Sequence, residues 1–342
     1  MNILLLVSGI ALALVVLADF TYTTLSANGV GFLTGRISRA IWRVFLVVCR
    51  HRGAHKFFNH AGMVTIVANL MTWLSLTWLA NALIVISDPK SIVNATTQAP
   101  ATALEKAYFV GYTLSTLGLG DFKPGTDFWR LFTVLVSVSG LTILTIAITY
   151  LVQVLTAEID KRQLSLYIAT LGGTPQGILI NGWNCKNFKK LQSDFNGLSY
   201  MILAHSQNHL AFPILHHFHS SDIKESTAIN LTALDEALTI LALCIPEAAQ
   251  ADLDVGSLRK AMTTYLITLE SDFIHPSREA LPVPDLALLQ EANIPLCDDV
   301  ESIQRGYKKL TTRRKLLKAL LENDGWRWSD LNRPKFRSEL DL

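Results

Sequence analysis

Two stretches of 27 residues, 61–87 and 131–157, contain no charged side chain. As a helix each would be about 40 Å long, enough to cross the roughly 30 Å hydrocarbon core of a bilayer. A third uncharged stretch, residues 3–18, is shorter. Met1 and Asn2 supply no basic n-region and residues 19–28 offer no A-x-A-like cleavage site, so it reads as a retained membrane helix rather than a cleaved signal. The composition agrees: 50% hydrophobic and only 17% charged residues are too apolar for an ordinary soluble protein of 342 residues.

Charge is distributed unevenly. The first 155 residues hold ten Lys/Arg against five Asp/Glu, the remaining 187 hold twenty against twenty-three. Six of the ten basic residues (Arg36, Arg39, Arg43, Arg50, Arg52 and Lys56) lie between the first two apolar stretches, where no acid follows Asp19. The positive-inside rule places that connection in the cytoplasm. The expected topology is therefore a multi-pass protein of the cell membrane, with an external amino terminus and a cytoplasmic carboxy-terminal domain. Cys49, Cys185, Cys244 and Cys297 are isolated, which suggests neither a disulfide framework nor a zinc site.

Between the second and third spans, residues 88–101 read as an exposed loop. Thr102-Ala103-Leu104-Glu105 then has the capping-box pattern, and it predicts a helix over 103–115. That helix is too short to span, and it runs directly into Thr116-Leu117-Gly118-Leu119-Gly120-Asp121. A short helix that dips in and returns as glycine-rich chain is tolerated at membrane depth only where it is buried in protein or lines a water-filled path. A potassium ion crosses a membrane when rows of carbonyl oxygens replace its water shell. Aiming successive carbonyls at one axis requires alternate residues at positive φ, which Gly118 and Gly120 adopt without steric cost. Thr116 would add a hydroxyl at the inner end of the row and Asp121 a carboxylate at the outer mouth.

This stretch resembles the T-x-G-[YF]-G-D signature of the potassium channel superfamily, and residues 62–157 resemble its two-transmembrane pore module. The resemblance implies that Thr116, Leu117, Gly118, Leu119 and Gly120 line the ion path and hold K⁺, with no organic cofactor, and that four identical subunits surround the axis. It also implies that Asp121 is held by an aromatic donor on the pore helix, where Tyr108 occupies a place commonly taken by tryptophan. Leu119 stands where tyrosine is usual, so the hydroxyl that braces the filter is missing, as in some channels resembling the two-pore-domain group.

Gly140, midway along the third span, is a candidate gating hinge; close packing against a neighbouring helix is the alternative. Asn69 and Asn81 are read as satisfied at the helix surface or interface, with bonding across helices as the alternative. Arg36, Arg39 and Arg43, spaced three and four apart, form the polar face of an interfacial helix directed at anionic headgroups, with Ile37, Ile41, Trp42 and Phe45 opposite.

Beyond residue 157 the patterning is helical near 188–208, 230–243, 256–269 and 300–321, after a Gly/Pro stretch at 171–177 that reads as a linker. The cluster His205, His209, His216, His217 and His219 invites a metal reading. The glutamate of H-E-x-x-H is absent, however, and histidines packed around Phe212-Pro213 are the simpler account. Lys308, Lys309, Arg313, Arg314, Lys315 and Lys318 read as a solvated basic face. The slightly acidic tail argues against nucleic-acid binding. No G-x-G-x-x-G and no grouping of nucleophile, base and orienter appears, so neither a nucleotide fold nor catalysis is expected.

The expectation is an all-α membrane protein in three parts: a membrane helix and basic interfacial helix over 1–60, a pore module over 61–157 with its filter at 116–121, and a cytoplasmic helical domain over 158–342. The expected activity is passive K⁺ conduction by a homotetramer. A non-selective cation channel and a membrane-anchored sensor with a vestigial pore are the alternatives.

Overall fold

A computed structural model describes residues 1–26, 29–52, 60–251, 253–272, 274–277, 279 and 281–333. The side chains of Cys49, Arg50 and Arg52, and the whole of Lys56, lie outside the described residues. The chain forms two compact units, one chiefly from Met1–Val48, His60–Leu155 and Ala211–His217, the other chiefly from Thr156–Leu210 and Phe218–Leu342.

In the first unit, α1 (Ile3–Leu25) starts at Asn2, whose side chain accepts from the amides of Leu4 and Leu5. It packs along α3 (Ala61–Ile86). Gly9 lets the two backbones approach, because a Cβ there would press on the Ala80 carbonyl and Ile84, and Phe20 meets Trp73 edge to face at 5.0 Å. The buried Asp19 carboxylate caps α2 (Phe32–Arg52): its Oδ1 accepts from the amides of Leu33 at 2.7 Å and Thr34 at 3.3 Å. Its Oδ2 accepts from the Thr34 hydroxyl at 2.6 Å and the Trp73 indole at 3.0 Å. Arg36, Arg39 and Arg43 are exposed on α2 while Thr34 and Ser38 are buried. Asn69 donates across to Ser38 at 3.2 Å, a cross-helix bond where surface satisfaction was expected; Asn81 bonds within its own helix to Thr77.

Residues 88–101 are not a plain exposed loop. Strand β1 (Ile92–Asn94) pairs antiparallel with β2 (Phe122–Pro124), Asn94 opposite Phe122, and Ile92 is fully buried. Between the strands lie α4 (Ala103–Leu114) and the glycine-rich segment. The long α5 (Asp127–Thr170) follows, with its first part in this unit and its last part in the other. By length and hydropathy α1, α3 and α5 are all able to cross a membrane.

The second unit is mainly helical: α6 (Pro175–Gly182), α7 (Gln192–Ala211), α8 (Thr227–Cys244), α9 (Gly256–Asp272), α10 (Ala287–Glu291), α11 (Val300–Lys309) and α12 (Thr311–Asn323). The linker expected at 171–177 is a tight corner instead: Gly172 and Gly173 take positive φ and Thr174 caps α6 through the Gly177 amide. α8 is apolar enough to span, yet its most apolar window is 89% buried inside this unit, with α6, α9, α11 and α12 around it. Its carboxylates make it a core helix rather than a span. Asp235 pairs with Arg259 and Arg313, and Glu236 takes a two-pronged bond from Arg314 at 2.8 and 2.9 Å. Burial pushes the Asp235 carboxyl up, but the two guanidiniums outweigh it and hold it below the usual range. The run read as a solvated basic face is thus corrected: Arg313 and Arg314 neutralise the core helix, and Lys318 is buried against Glu279 and Glu322, while Lys308 and Lys309 stay exposed.

Candidate functional site

The helix α4 begins with the reciprocal cap that the sequence announces. The Thr102 amide donates to Glu105 Oε2 at 2.7 Å and the Glu105 amide to Thr102 Oγ1 at 3.4 Å. Three further bonds fix its tilt. The Trp78 indole of α3 donates to the Ala107 carbonyl at 2.9 Å, and Gly111 leaves room for that ring. Lys106, only 3% exposed, donates through Nζ to the carbonyls of Asp88 at 2.6 Å and Pro89 at 3.3 Å, just past the end of α3. Asp88 in turn accepts from the Trp129 indole of α5 at 2.8 Å. Burial lowers Lys106 below the ordinary lysine range, offset in part by Asp88. One residue, Asp88, therefore ties together the end of α3, the start of α4 and the start of α5.

At its other end α4 stops at Leu114. The Leu117 amide donates back to the Tyr112 carbonyl at 2.8 Å and the Thr116 amide to Thr113 at 3.1 Å, closing the helix with Thr116 in the left-handed region at φ +58°. From there the sign of φ alternates: Gly118 is at +58° and Gly120 at +82°, whereas Leu117 and Leu119 are not in the left-handed region. Opposite backbone hands on successive residues turn successive carbonyls toward the same side of the chain. Residues 115–121 are all exposed, Leu117 at 65% and Leu119 at 51%, and a Cβ on Gly118 or Gly120 would meet nothing within 4 Å. This chain alone leaves both flanks of the segment uncovered.

Behind the segment stand two tyrosines. Tyr108 and Tyr112 lie one turn apart on α4 with ring centroids 5.2 Å apart, and burial together with the nearby Asp121 carboxylate raises both phenols above the usual tyrosine range. Tyr112 is buried and also donates to the Phe122 carbonyl at 3.0 Å. The amide of Ala95, the residue after β1, donates to the Asp121 carbonyl at 2.9 Å and holds that residue from the other side. Sequence reasoning found Tyr108 and missed Tyr112, although the four-residue spacing places both on one helix face. It also missed Asp88, Lys106 and Trp129, whose pairing spans up to 41 residues.

Gly140 lies where α5 crosses the end of α4, and a Cβ there would run into the Leu114 carbonyl. α5 continues as helix through it. The five histidines do not form one site. His216 and His217 belong to the first unit, where His217 stacks on Trp42 at 5.4 Å; His219, in the second, pairs with Asp324. His205 and His209 stack at 5.7 Å beside Tyr265. Among the described residues no three His, Cys, Asp or Glu side chains converge as a metal site.

The family model for "Ion channel" matches residues 70–157, the segment that contains Trp78, Asp88, Lys106, both tyrosines, the alternating backbone and Gly140. The chain is also 34% identical over 334 residues, 94% of its own length and 94% of the other, to "Uncharacterized membrane protein YdjJ" of Bacillus subtilis (strain 168). The chain belongs to the two-transmembrane ion channel family. α3, α4, the segment 116–121 and the first part of α5 all lie within or overlap the matched residues. The second unit lies outside the family match but within the length shared with the membrane protein of Bacillus subtilis. No solved structure matches the chain.

Proposed function

We propose that this ion channel is a potassium-selective, homotetrameric pore in the cell membrane, conducting K⁺ passively through the carbonyls of Thr116, Leu117, Gly118, Leu119 and Gly120. The observation that carries the reading is the alternation of positive φ at Thr116, Gly118 and Gly120, two residues apart each time, on a segment that α4 presents bare. Carbonyls of one chain supply one wall of an ion cage; four copies about an axis close it. Asp121 and the two tyrosines brace the outer end. Glycine at 140 brings α5 against the end of α4, so that α5 lines the inner cavity below the filter. The arginines of α2 face anionic headgroups on the cytoplasmic side, the amino terminus is external, and the second unit is cytoplasmic and assembles or regulates the four subunits.

A second reading has a specific observation behind it. Leu119 offers no hydroxyl to brace the filter, and its side chain is half exposed. A filter free to widen would pass Na⁺ as well as K⁺, which makes the chain a non-selective cation channel.

Recording from purified protein in planar bilayers, with K⁺ on one side and Na⁺ on the other, separates the two. A reversal potential displaced strongly toward the K⁺ equilibrium value supports selectivity; a reversal near zero contradicts it. Gly118→Asp should abolish the current in either case.

A further inference from the structure

The second unit carries a cavity of about 260 Å³ that the conduction pathway does not use. Its lining includes apolar Leu281 and Val283 and the ring of Tyr307. It also includes polar Gln304 and Lys308 from α11 and Lys315 from α12. Gln304 and Lys308 lie four residues apart on α11, one turn along the same helix face, and Lys315 reaches the same cavity from α12.

The charge balance of the cavity is uneven. Arg314 also lines it, but its guanidinium is taken up by Glu236 and by the Pro282 carbonyl at 2.8 Å, so it contributes a neutralised pair. Lys308 and Lys315 have no acidic partner among the described residues, and no carboxylate lines the cavity. The Tyr307 phenol is turned inward toward Cys244 and the Arg314 guanidinium lies over its ring at 5.0 Å, so this buried ring is part of the cavity floor. Two ammonium groups without an acidic partner among the described residues, in one cavity with Leu281 and Val283, are complementary to a ligand with a dianionic head and a compact apolar body. The volume falls just below the roughly 300–1,000 Å³ of drug-sized pockets, so the ligand is small.

We propose that this cavity binds a phosphate monoester, with the phosphate between Lys308 and Lys315 and the organic group against Leu281 and Val283. A phosphate monoester carries about −1.5 to −2 charges at pH 7, which matches the two lysines. The same chemistry is offered by a soluble metabolite and by the headgroup of a phosphatidic acid.

Calorimetric titration of the full-length protein in phosphatidylcholine nanodiscs tests the site, with phenyl phosphate as the complete probe, inorganic phosphate as the anion alone and phenol as the apolar body alone. Phenyl phosphate should bind at least tenfold more tightly than either fragment, and Lys308→Gln combined with Lys315→Gln should raise its Kd at least tenfold. Lys309→Gln, which removes a neighbouring exposed lysine outside the cavity, should leave the Kd within twofold. Repeating the titration in nanodiscs containing phosphatidic acid distinguishes the source: lost phenyl phosphate binding assigns the site to the lipid, and unchanged binding to a soluble ester. Absence of phenyl phosphate binding to the unmodified protein in phosphatidylcholine, or equal affinity in the double variant, overturns the proposal.

Discussion

The Tyr112 phenol donates to the Phe122 carbonyl at 3.0 Å, linking the last turn of the pore helix to the first residue after Asp121. Leu119 has no hydroxyl, so in the proposed filter this bond would supply bracing at the end next to Asp121. Tyr112→Phe keeps the ring packing and deletes the bond, at a cost of about 1 kcal/mol, or roughly a fivefold change in a two-state equilibrium. Steady-state single-channel recording should show the conducting fraction falling by about that factor, with unchanged protein yield. An unaltered conducting fraction removes Tyr112 from the bracing.

Gly140 separates two roles that the sequence leaves open. The Leu114 carbonyl occupies the space a Cβ would need, so Gly140→Ala should force α5 away from the end of α4 and cost about 1–3 kcal/mol. Thermal melting of the purified channel should show a lowered midpoint. A variant with an unchanged melt but altered opening kinetics would instead indicate a hinge.

Glu236 and Arg314 are both buried in the core of the second unit. Removing one partner leaves a buried charge unpaired, so Arg314→Met should destabilise that unit by about 3–5 kcal/mol in chemical denaturation, whereas Glu236→Leu with Arg314→Met should recover most of the loss. Equal destabilisation by the single and double changes contradicts this.

His205 is held neutral by burial, which lowers its pKa to about 3 from the ordinary 6.5. On unfolding, the ring regains its ordinary basicity, so below about pH 6.5 the unfolded chain binds the extra proton. The stability involved is fully present above pH 6.5 and is lost as the pH falls toward 3, by up to about 1.4 kcal/mol per pH unit. His205→Phe, which retains a ring against Tyr265, should flatten the fall in urea-denaturation stability between pH 6.5 and 4.5. A variant with the same pH slope as the parent would contradict the assignment.

The features visible in the sequence are those written in local spacing. Thr102 and Glu105 announce α4, Gly118 and Gly120 the alternation, and the uncharged runs the helices able to span a membrane. The features that were hidden are those made by distant partners. Strands of three residues are too short to display alternation, so β1 looked like a loop although Ile92 is buried. Arg313 and Arg314 looked solvated because the carboxylates they neutralise lie 78 residues away on α8. The junction of Asp88 with Lys106 and Trp129 joins three elements, and no single segment displays it. Thr116 was read for its hydroxyl; its positive φ, which starts the alternation, is set by the helix end it closes.

The measurement that bears most directly on the central claim is the arrangement of the Gly118 and Gly120 carbonyls in the assembled protein, determined by electron cryomicroscopy in nanodiscs with K⁺ present. Four chains bringing those oxygens to a common axis, with ion density between their rings, is the predicted result. An assembly in which residues 116–120 of different chains do not face one axis would contradict it.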